Sequence, residues 1–172
     1  MGTPVDTFQR HFRYTLQRGR NHDVVCVLYS GGPGNDEPSQ PQVSASVALV
    51  PGQRSFLVRP IRIDPGFQQR AGAIEQHHDD IKSLRHIYSR IFPLPYAAAM
   101  AGALAHASNR GCQRLHAYLS RDEVRILPRL FPLQHRGEHE YQGETRKLLS
   151  TAAERMPVLY ELICIASREL AE

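Results

Sequence analysis

The stretch from Arg110 to Leu162 constrains the fold more than any other part of this sequence, because the spacing of its apolar residues changes several times within a short distance. Two short apolar runs, residues 115–119 and 124–131, are separated by four polar residues, 120–123. Such a pattern predicts a β-hairpin. Apolar residues at helical spacing then predict an amphipathic helix, and another apolar helix is predicted after Pro157. The apolar side of the first of these helices is formed by Leu148, Leu149, Ala152 and Ala153.

The rest of the chain supplies further predicted elements. A helix over residues 5–18 carries an apolar stripe, and three strands follow, the third with Pro60 and therefore expected at a sheet edge. Together these elements predict the order α-β-β-β-α-α-β-β-α-α, a single α+β domain over residues 1–172. Its core would be a small antiparallel sheet of about five strands flanked by helices. The predicted strands are residues 24–29, 43–50 and 54–63, and the middle helices are residues 74–91 and 96–108.

Length and composition define the broad class of protein. The chain has 172 residues, of which 41% are hydrophobic and 22% charged, as in a soluble globular protein. No apolar run approaches the ~20 residues that span a bilayer, and no signal peptide is visible, so a cytoplasmic location without membrane contact is expected. Cys26, Cys112 and Cys164 are far apart in apolar contexts, which predicts buried free thiols.

Arginine dominates the basic residues, with 19 Arg against 2 Lys and a net charge of +4. One hypothesis is a nucleic-acid or nucleotide-binding protein, since guanidinium groups match phosphate oxygens. It would use Arg10, Arg13, Arg18 and Arg20. The arginines are dispersed along the chain, however, whereas a nucleic-acid footprint is clustered. A nucleic-acid partner is therefore an alternative and not the favoured prediction.

Two kinds of motif are candidate sites of chemistry. Ser30-Gly31-Gly32-Pro33-Gly34 resembles the Ser-Gly-Gly-Pro-Gly segment of class I glutamine amidotransferases, which makes an enzyme using the Gly31–Gly34 loop the second alternative. No cysteine, however, lies in the strand-to-helix elbow that such catalysis needs. The histidine clusters, His77 and His78 with His86, and His135 with His139, are interpreted as solvated polar faces. We therefore predict no catalytic residue, no metal and no cofactor.

The second half of the chain resembles the type III secretion chaperones of the Tir-chaperone kind. Residues 97–109 before the predicted hairpin resemble their helix that ends in Asn before the fourth strand. Residues 124–133 resemble the fifth strand and its exit, and residues 148–155 resemble the closing helix. The resemblance implies a non-enzymatic cytoplasmic homodimer that holds an extended segment of a client protein.

The site residues follow from that function. A client segment would add to an edge strand and fill apolar pockets beside it. The predicted client-binding residues are Phe8, Phe12, Leu57, Ile61, Arg59 and Arg62. The small-residue helix and the first hairpin strand supply the predicted dimer interface, which consists of Ala99, Ala103, Leu115 and Leu119.

Overall fold

The computed structural model describes residues 12–29, 43–50, 54–63, 94–155 and 157–171. These residues form eight strands: β1 Phe12–Arg18, β2 Asp23–Tyr29, β3 Val43–Val50, β4 Ser55–Val58, β5 Arg62–Ile63, β6 Arg114–Tyr118, β7 Gln134–His135 and β8 Glu140–Glu144. They also form four helices: α1 Leu94–Asn109, α2 Arg121–Leu130, α3 Thr145–Arg155 and α4 Pro157–Glu169.

The strands form one mixed sheet in the order β1-β2-β3-β4-β6-β8-β7, with β5 pairing separately with β3. Along this path every neighbouring pair is antiparallel except β4 and β6, which run parallel over four residue pairs. The prediction of a small antiparallel sheet of about five strands is therefore wrong. Two parallel neighbours need a crossover connection, so they are distant in sequence. A local sequence pattern predicts each strand but not which distant strand it pairs with.

Strands β2, β3 and β4 form where the alternating pattern predicted them. In β3, Val43, Ala45 and Val47 are buried, whereas Ser44 and Ser46 between them are half-buried. Side chains alternate between the two faces of a strand, so the apolar set lies on the face that the helices cover. The predicted edge position at Pro60 does not extend to Ser55–Val58, which pairs with β3 on one side and β6 on the other; beyond Pro60, Arg62–Ile63 pairs only with β3 within the described sheet.

Residues 12–18 belong to a strand, which corrects the predicted helix over 5–18. Strand β1 pairs with β2 along its whole length, from Phe12↔Tyr29 to Arg18↔Asp23. Tyr14 is buried and Leu16 half-buried, while Arg13 and Thr15 are exposed. Phe12 and Leu16 are four residues apart, which places them on one face of a helix and also on one face of a strand. The apolar stripe therefore does not discriminate between the two structures. Residues 5–11 of the predicted helix lie outside the described residues.

The predicted hairpin is also wrong in its second half. Residues 121–130 form helix α2, and β6 pairs instead with β8, from Arg114↔Glu144 to Tyr118↔Glu140. Ser120 caps α2, since its hydroxyl accepts a hydrogen bond from the Glu123 amide at 3.3 Å. The polar residues 120–123 are therefore a helix start and not a hairpin turn.

Helix α1 packs on one half of the sheet and lies, in sequence, between the two halves. It contacts β2 and β3, and α4 packs against both α1 and β1. The helix ends as predicted, with Gly111 at φ 77° just beyond Asn109. Contact is close because small residues face the sheet: a Cβ on Gly102 would lie 2.7 Å from Cε1 of Tyr14 and 2.9 Å from Cγ1 of Val25.

We expect Gly102→Ala to destabilise the protein. The Tyr14 hydroxyl donates a 2.8 Å hydrogen bond to the Ala98 carbonyl, so its ring is held in place and the new methyl group overpacks the contact. Overpacking costs about 1–3 kcal/mol, which exceeds the helix-propensity gain of about 1 kcal/mol for Gly→Ala. Urea unfolding followed by circular dichroism measures the difference. Ser108→Ala, at an exposed position of the same helix, is the control and should lie within about 0.5 kcal/mol of wild type. Equal or higher stability for Gly102→Ala would contradict this packing.

Candidate functional site

The sheet opens at the end of its parallel pair. The β4–β6 ladder stops at Val58↔Ala117. On one side the chain goes on pairing with β3 as far as Ile63, and on the other β6 continues to Tyr118 opposite Glu140. The two halves of the sheet therefore separate beyond the carboxyl ends of β4 and β6. In open α/β sheets, ligands bind outside the carboxyl ends of parallel strands, so the groups at this end of β4 and β6 are candidates for a binding site.

A β-bulge lies at this opening. Five steps along the chain lead from Val58 to Ile63, but their partners on β3, Val47 and Val43, are only four steps apart. One extra residue is therefore accommodated near Pro60, which has no N–H to give to the ladder. The bulge turns the Ile61 amide away from β3, and this amide donates a 2.9 Å hydrogen bond to Oε1 of Glu123.

Glu123 is the chemically notable residue of this region. It lies in the first turn of α2, directly after β6, and has no exposed surface. The Ser120 hydroxyl donates a 2.9 Å hydrogen bond to its Oε1, the atom that also accepts from Ile61. Its other oxygen, Oε2, is buried and has no hydrogen-bond partner within the described part of the chain. A buried carboxyl oxygen without a partner is uncommon and calls for an explanation.

Burial raises the pKa of Glu123 above its ordinary value, because the charged form loses its hydration. The hydrogen bonds from Ser120 and Ile61 act in the opposite direction, and the negative charge of Asp122 adds to the rise. Half-buried Tyr96 on α1 faces the same charges: burial first, then Asp122 and Glu123, raise its pKa. Glu123 is therefore able to gain and lose a proton closer to neutral pH than an exposed carboxyl, while Tyr96 stays protonated.

Glu123 is not among the residues predicted from the sequence, although the sequence carries a signal for it. Ser-x-x-Glu before an apolar run is the capping-box signature of a helix start, and residues 120–123 match it. A helix predicted from residue 121 would have placed Glu123 in its first turn, shortly after the strand that is β6 in the structure. The carboxylate's second contact, with Ile61, joins residues 62 positions apart and has no local signal.

The structure separates the predicted client-binding residues. Leu57, Arg59, Ile61 and Arg62 lie on β4, the bulge and β5, with Ile61 only 8% exposed and both arginines exposed. Phe12 lies on β1, three strands away, which corresponds to roughly 14 Å at the ordinary strand spacing. Phe8 lies outside the described residues. Phe12 and the β4 residues therefore do not form one continuous strip along a strand.

The predicted dimer interface is inside the protomer. Ala99, Ala103, Leu115 and Leu119 are at most 2% exposed and belong to the core beneath the sheet and α1. This is a correction: the small residues serve close packing of α1 on the sheet within one chain. They have no surface to offer a second copy.

Strand β1 lies at one edge of the described sheet, where a client strand would have to add. The Tyr14 amide on this strand already donates a 3.0 Å hydrogen bond to Oε2 of Glu169 on α4. Burial, and then the Glu169 charge, raise the pKa of Tyr14. The side chain of Glu169 thus occupies part of the edge that strand addition would use.

A second buried polar pair joins α1 to β2. His106, 2% exposed, places Nε2 3.0 Å from Oδ2 of Asp23. Its Nδ1 has no hydrogen-bond partner among the residues that the structure describes. The pair lies within the layer between helix and sheet and ties the end of α1 to the start of β2.

The histidines of the second predicted cluster, His135 and His139, contact neighbouring residues of the same chain. His139 Nδ1 is 3.1 Å from the Leu119 carbonyl, and the His135 ring lies 5.1 Å from that of Tyr141. Within the described ranges no group of three or more His, Cys, Asp or Glu is arranged to hold a metal ion. The predicted candidates that lie outside the described ranges are Phe8, Arg10, the loop at Gly31–Gly34, His77, His78 and His86.

Arg13, Arg18 and Arg20 are exposed on or beside β1. Cys26 is buried as predicted, but Cys112 is half-buried and Cys164 exposed, so burial of all three thiols is wrong. Burial raises the pKa of Cys26 and of Cys112. A thiol that is protonated more strongly than usual is a weaker nucleophile at neutral pH.

Comparisons with known proteins add little to this site. No family model matches the chain, and no curated protein matches it. The solved structures that it resembles include two mutants of a cAMP-binding acyltransferase from Mycobacterium smegmatis. One is 12% identical with a TM-score of 0.44, covering 86% of this chain and 39% of that one. The other is 13% identical with a TM-score of 0.42, covering 86% and 40%. The chain thus spans about two fifths of their length, and a similarity of this size does not define its activity.

Among the described helices, none is long and apolar enough to cross a membrane.

The raised pKa of Glu123 predicts a pH dependence of stability. A folded-state pKa above the unfolded value of 4.5 means that the folded protein binds this proton more tightly than the unfolded chain. The associated stability is complete below pH 4.5 and is lost as the pH rises through the folded pKa. The free energy of unfolding of wild type should therefore fall, relative to that of Glu123→Gln, over this range. Urea unfolding at a series of pH values measures both.

Glu154→Gln, at an exposed position of α3, is the control for this measurement and should keep the wild-type pH profile. Parallel profiles for wild type and Glu123→Gln would show that the carboxyl of Glu123 titrates alike in the folded and unfolded chains.

Proposed function

We propose that this protein is an enzyme that binds a small substrate where the sheet opens beyond the parallel ladder, and that Glu123 carries a proton in its reaction. The observation that supports this most is the fully buried Glu123 carboxyl at the end of β6, with Oε2 unpartnered among the described residues. Two of the surrounding groups, the Ser120 hydroxyl and the Ile61 amide, fix the orientation of this carboxyl through Oε1.

The chemistry that suits this arrangement is transfer of a group onto an N–H or O–H nucleophile. The half-buried Ser120 hydroxyl links Glu123 to the substrate: as the nucleophile attacks the donor, its proton passes to Ser120 and the Ser120 proton passes to ionised Glu123, and both transfers reverse to protonate the leaving group. The raised pKa favours the first step, because it makes the carboxylate of Glu123 a stronger base than that of an exposed glutamate. Tyr96 stays protonated beside it and is suited to donate a hydrogen bond to the substrate.

The client-binding function predicted from the sequence stays a second proposal, together with a cytoplasmic location and a homodimer. Exposed Arg59 and Arg62 beside half-buried Leu57 support it. A client would meet only part of the predicted surface, since Phe12 is separated from these residues by β2 and β3. A binding protein of this kind has no use for a proton carrier, so the two proposals differ in what Glu123→Gln should do.

Turnover assays with two classes of group donor test the enzyme proposal. Acyl thioesters, followed by thiol release, and nucleoside triphosphates, followed by release of nucleoside diphosphate or pyrophosphate, are each offered with a panel of amines and alcohols. We expect wild type to turn over a member of one class, and Glu123→Gln to lower kcat about 10²–10⁴-fold, the usual contribution of a general base. The rate of wild type should also rise with pH through the pKa of Glu123.

Glu154→Gln is again the matched control and should keep wild-type kcat, since this exposed residue lies on α3. Turnover that Glu123→Gln leaves unchanged, in a protein with unaltered circular dichroism, would remove Glu123 from the mechanism. Absence of turnover with both donor classes, together with capture of a defined client that Arg62→Ala weakens, would favour the second proposal.

A further inference from the structure

A groove lies at the other end of β6, away from Glu123. It occupies about 720 Å³ between the end of α1, the start of β6, α3 and α4. A volume of this size is within the range of small-molecule sites. Strand β6 has five residues, which separates the two ends by roughly 13 Å. The groove lining includes Arg114, Thr145, Arg146, Leu149, Tyr160 and Ile163.

The start of helix α3 faces this groove with an excess of positive charge, since Arg114 and Arg146 outnumber Glu144, the cross-strand partner of Arg114. The helix begins Thr145-Arg146-Lys147 and has no acidic residue in its first turn. The backbone N–H groups at a helix start already carry partial positive charge, which disfavours cations there and favours an anion. Arg114, at the first position of β6, adds another cation to the groove lining, and Glu144 is the one carboxylate among the lining residues.

The Thr145 hydroxyl is an independent indication of a ligand. Thr145 is 2% exposed and lines the groove, and its Oγ1 has no hydrogen-bond partner within the part of the chain that the structure describes. Its amide, by contrast, donates a 2.9 Å hydrogen bond to the Gln113 carbonyl, which fixes the start of the helix. A buried hydroxyl is ordinarily paired, so an acceptor from outside the chain would complete this one.

Part of the groove lining, on α3 and α4, is apolar. Leu149 is half-buried and Ile163 is 9% exposed, and both belong to or border the hydrophobic core. Tyr160 is 57% exposed, one of the large hydrophobic side chains that the described surface leaves open. A ligand that fits therefore has an anionic group at one end and an apolar body at the other.

We propose that this groove binds an amphipathic anion. Its carboxylate or phosphate group lies at the start of α3, against the Thr145 hydroxyl and the Arg146 and Arg114 guanidinium groups. Its hydrocarbon or aromatic body packs on Leu149, Ile163 and Tyr160. Because the groove is at the opposite end of β6, this site does not depend on Glu123 or on the proposed enzymatic function.

Isothermal titration calorimetry with the full chain tests this proposal. The probes are octanoate, octyl phosphate and the uncharged octanol. We expect saturable one-to-one binding of octanoate or octyl phosphate, with octanol at least tenfold weaker. The tighter of the two anions identifies whether the anionic group is a carboxylate or a phosphate, and either result supports the site. Equal affinity for octanol, or no binding of either anion at millimolar concentration, would overturn it.

Variants locate the anionic group. Arg146→Gln should weaken binding of the tighter anion about tenfold, as expected for loss of one charged hydrogen-bonding partner. Thr145→Val removes only the hydroxyl and should weaken binding about threefold or more. Arg168→Gln, at an exposed position on α4 outside the groove lining, is the matched control and should stay within twofold of wild type. The proposal is overturned if Arg146→Gln and Thr145→Val both stay within twofold, or if Arg168→Gln weakens binding equally.

Discussion

Four residue pairs of parallel ladder, from Ser55↔Arg114 to Val58↔Ala117, hold the two halves of the described sheet together. This pairing requires the chain to cross from β4 to β6, and α1 lies across β2 and β3 on the way. The crossing is close only because residues such as Gly102 leave room for Tyr14 and Val25. The shortness of the ladder also creates the opening, since both halves continue beyond it with other partners.

The elements that the sequence predicts well are those whose signals are local. Alternating Val43, Ala45 and Val47 identify β3, and the end of α1 was placed by Asn109 followed by Gly111. Helices α3 and α4 appear where their apolar residues recur at helical spacing, with Leu148 and Ala152 buried. In each case the pattern fits one kind of element only, so the physical cause is contained within a few residues.

The elements predicted wrongly are those whose pattern fits two structures or depends on distant residues. The apolar residues of β1 satisfy a helix as well as a strand, and pairing with β2 decided the outcome. The polar residues 120–123 fit a hairpin turn as well as a capping box. Ile61, whose amide contacts the buried Glu123 carboxyl, is far away in sequence. The candidate site was unpredictable for the same reason: it exists only after a parallel pairing that no local signal encodes.

The hydrogen bond from the Tyr14 amide to Glu169 has a consequence for self-association. An exposed edge strand with free N–H groups is a template on which further copies of a chain can polymerise. Glu169 places a negative charge and an acceptor against that edge, from a helix near the end of the described chain. Loss of this single carboxylate would therefore harm the protein through aggregation at high concentration, even where the fold itself is retained.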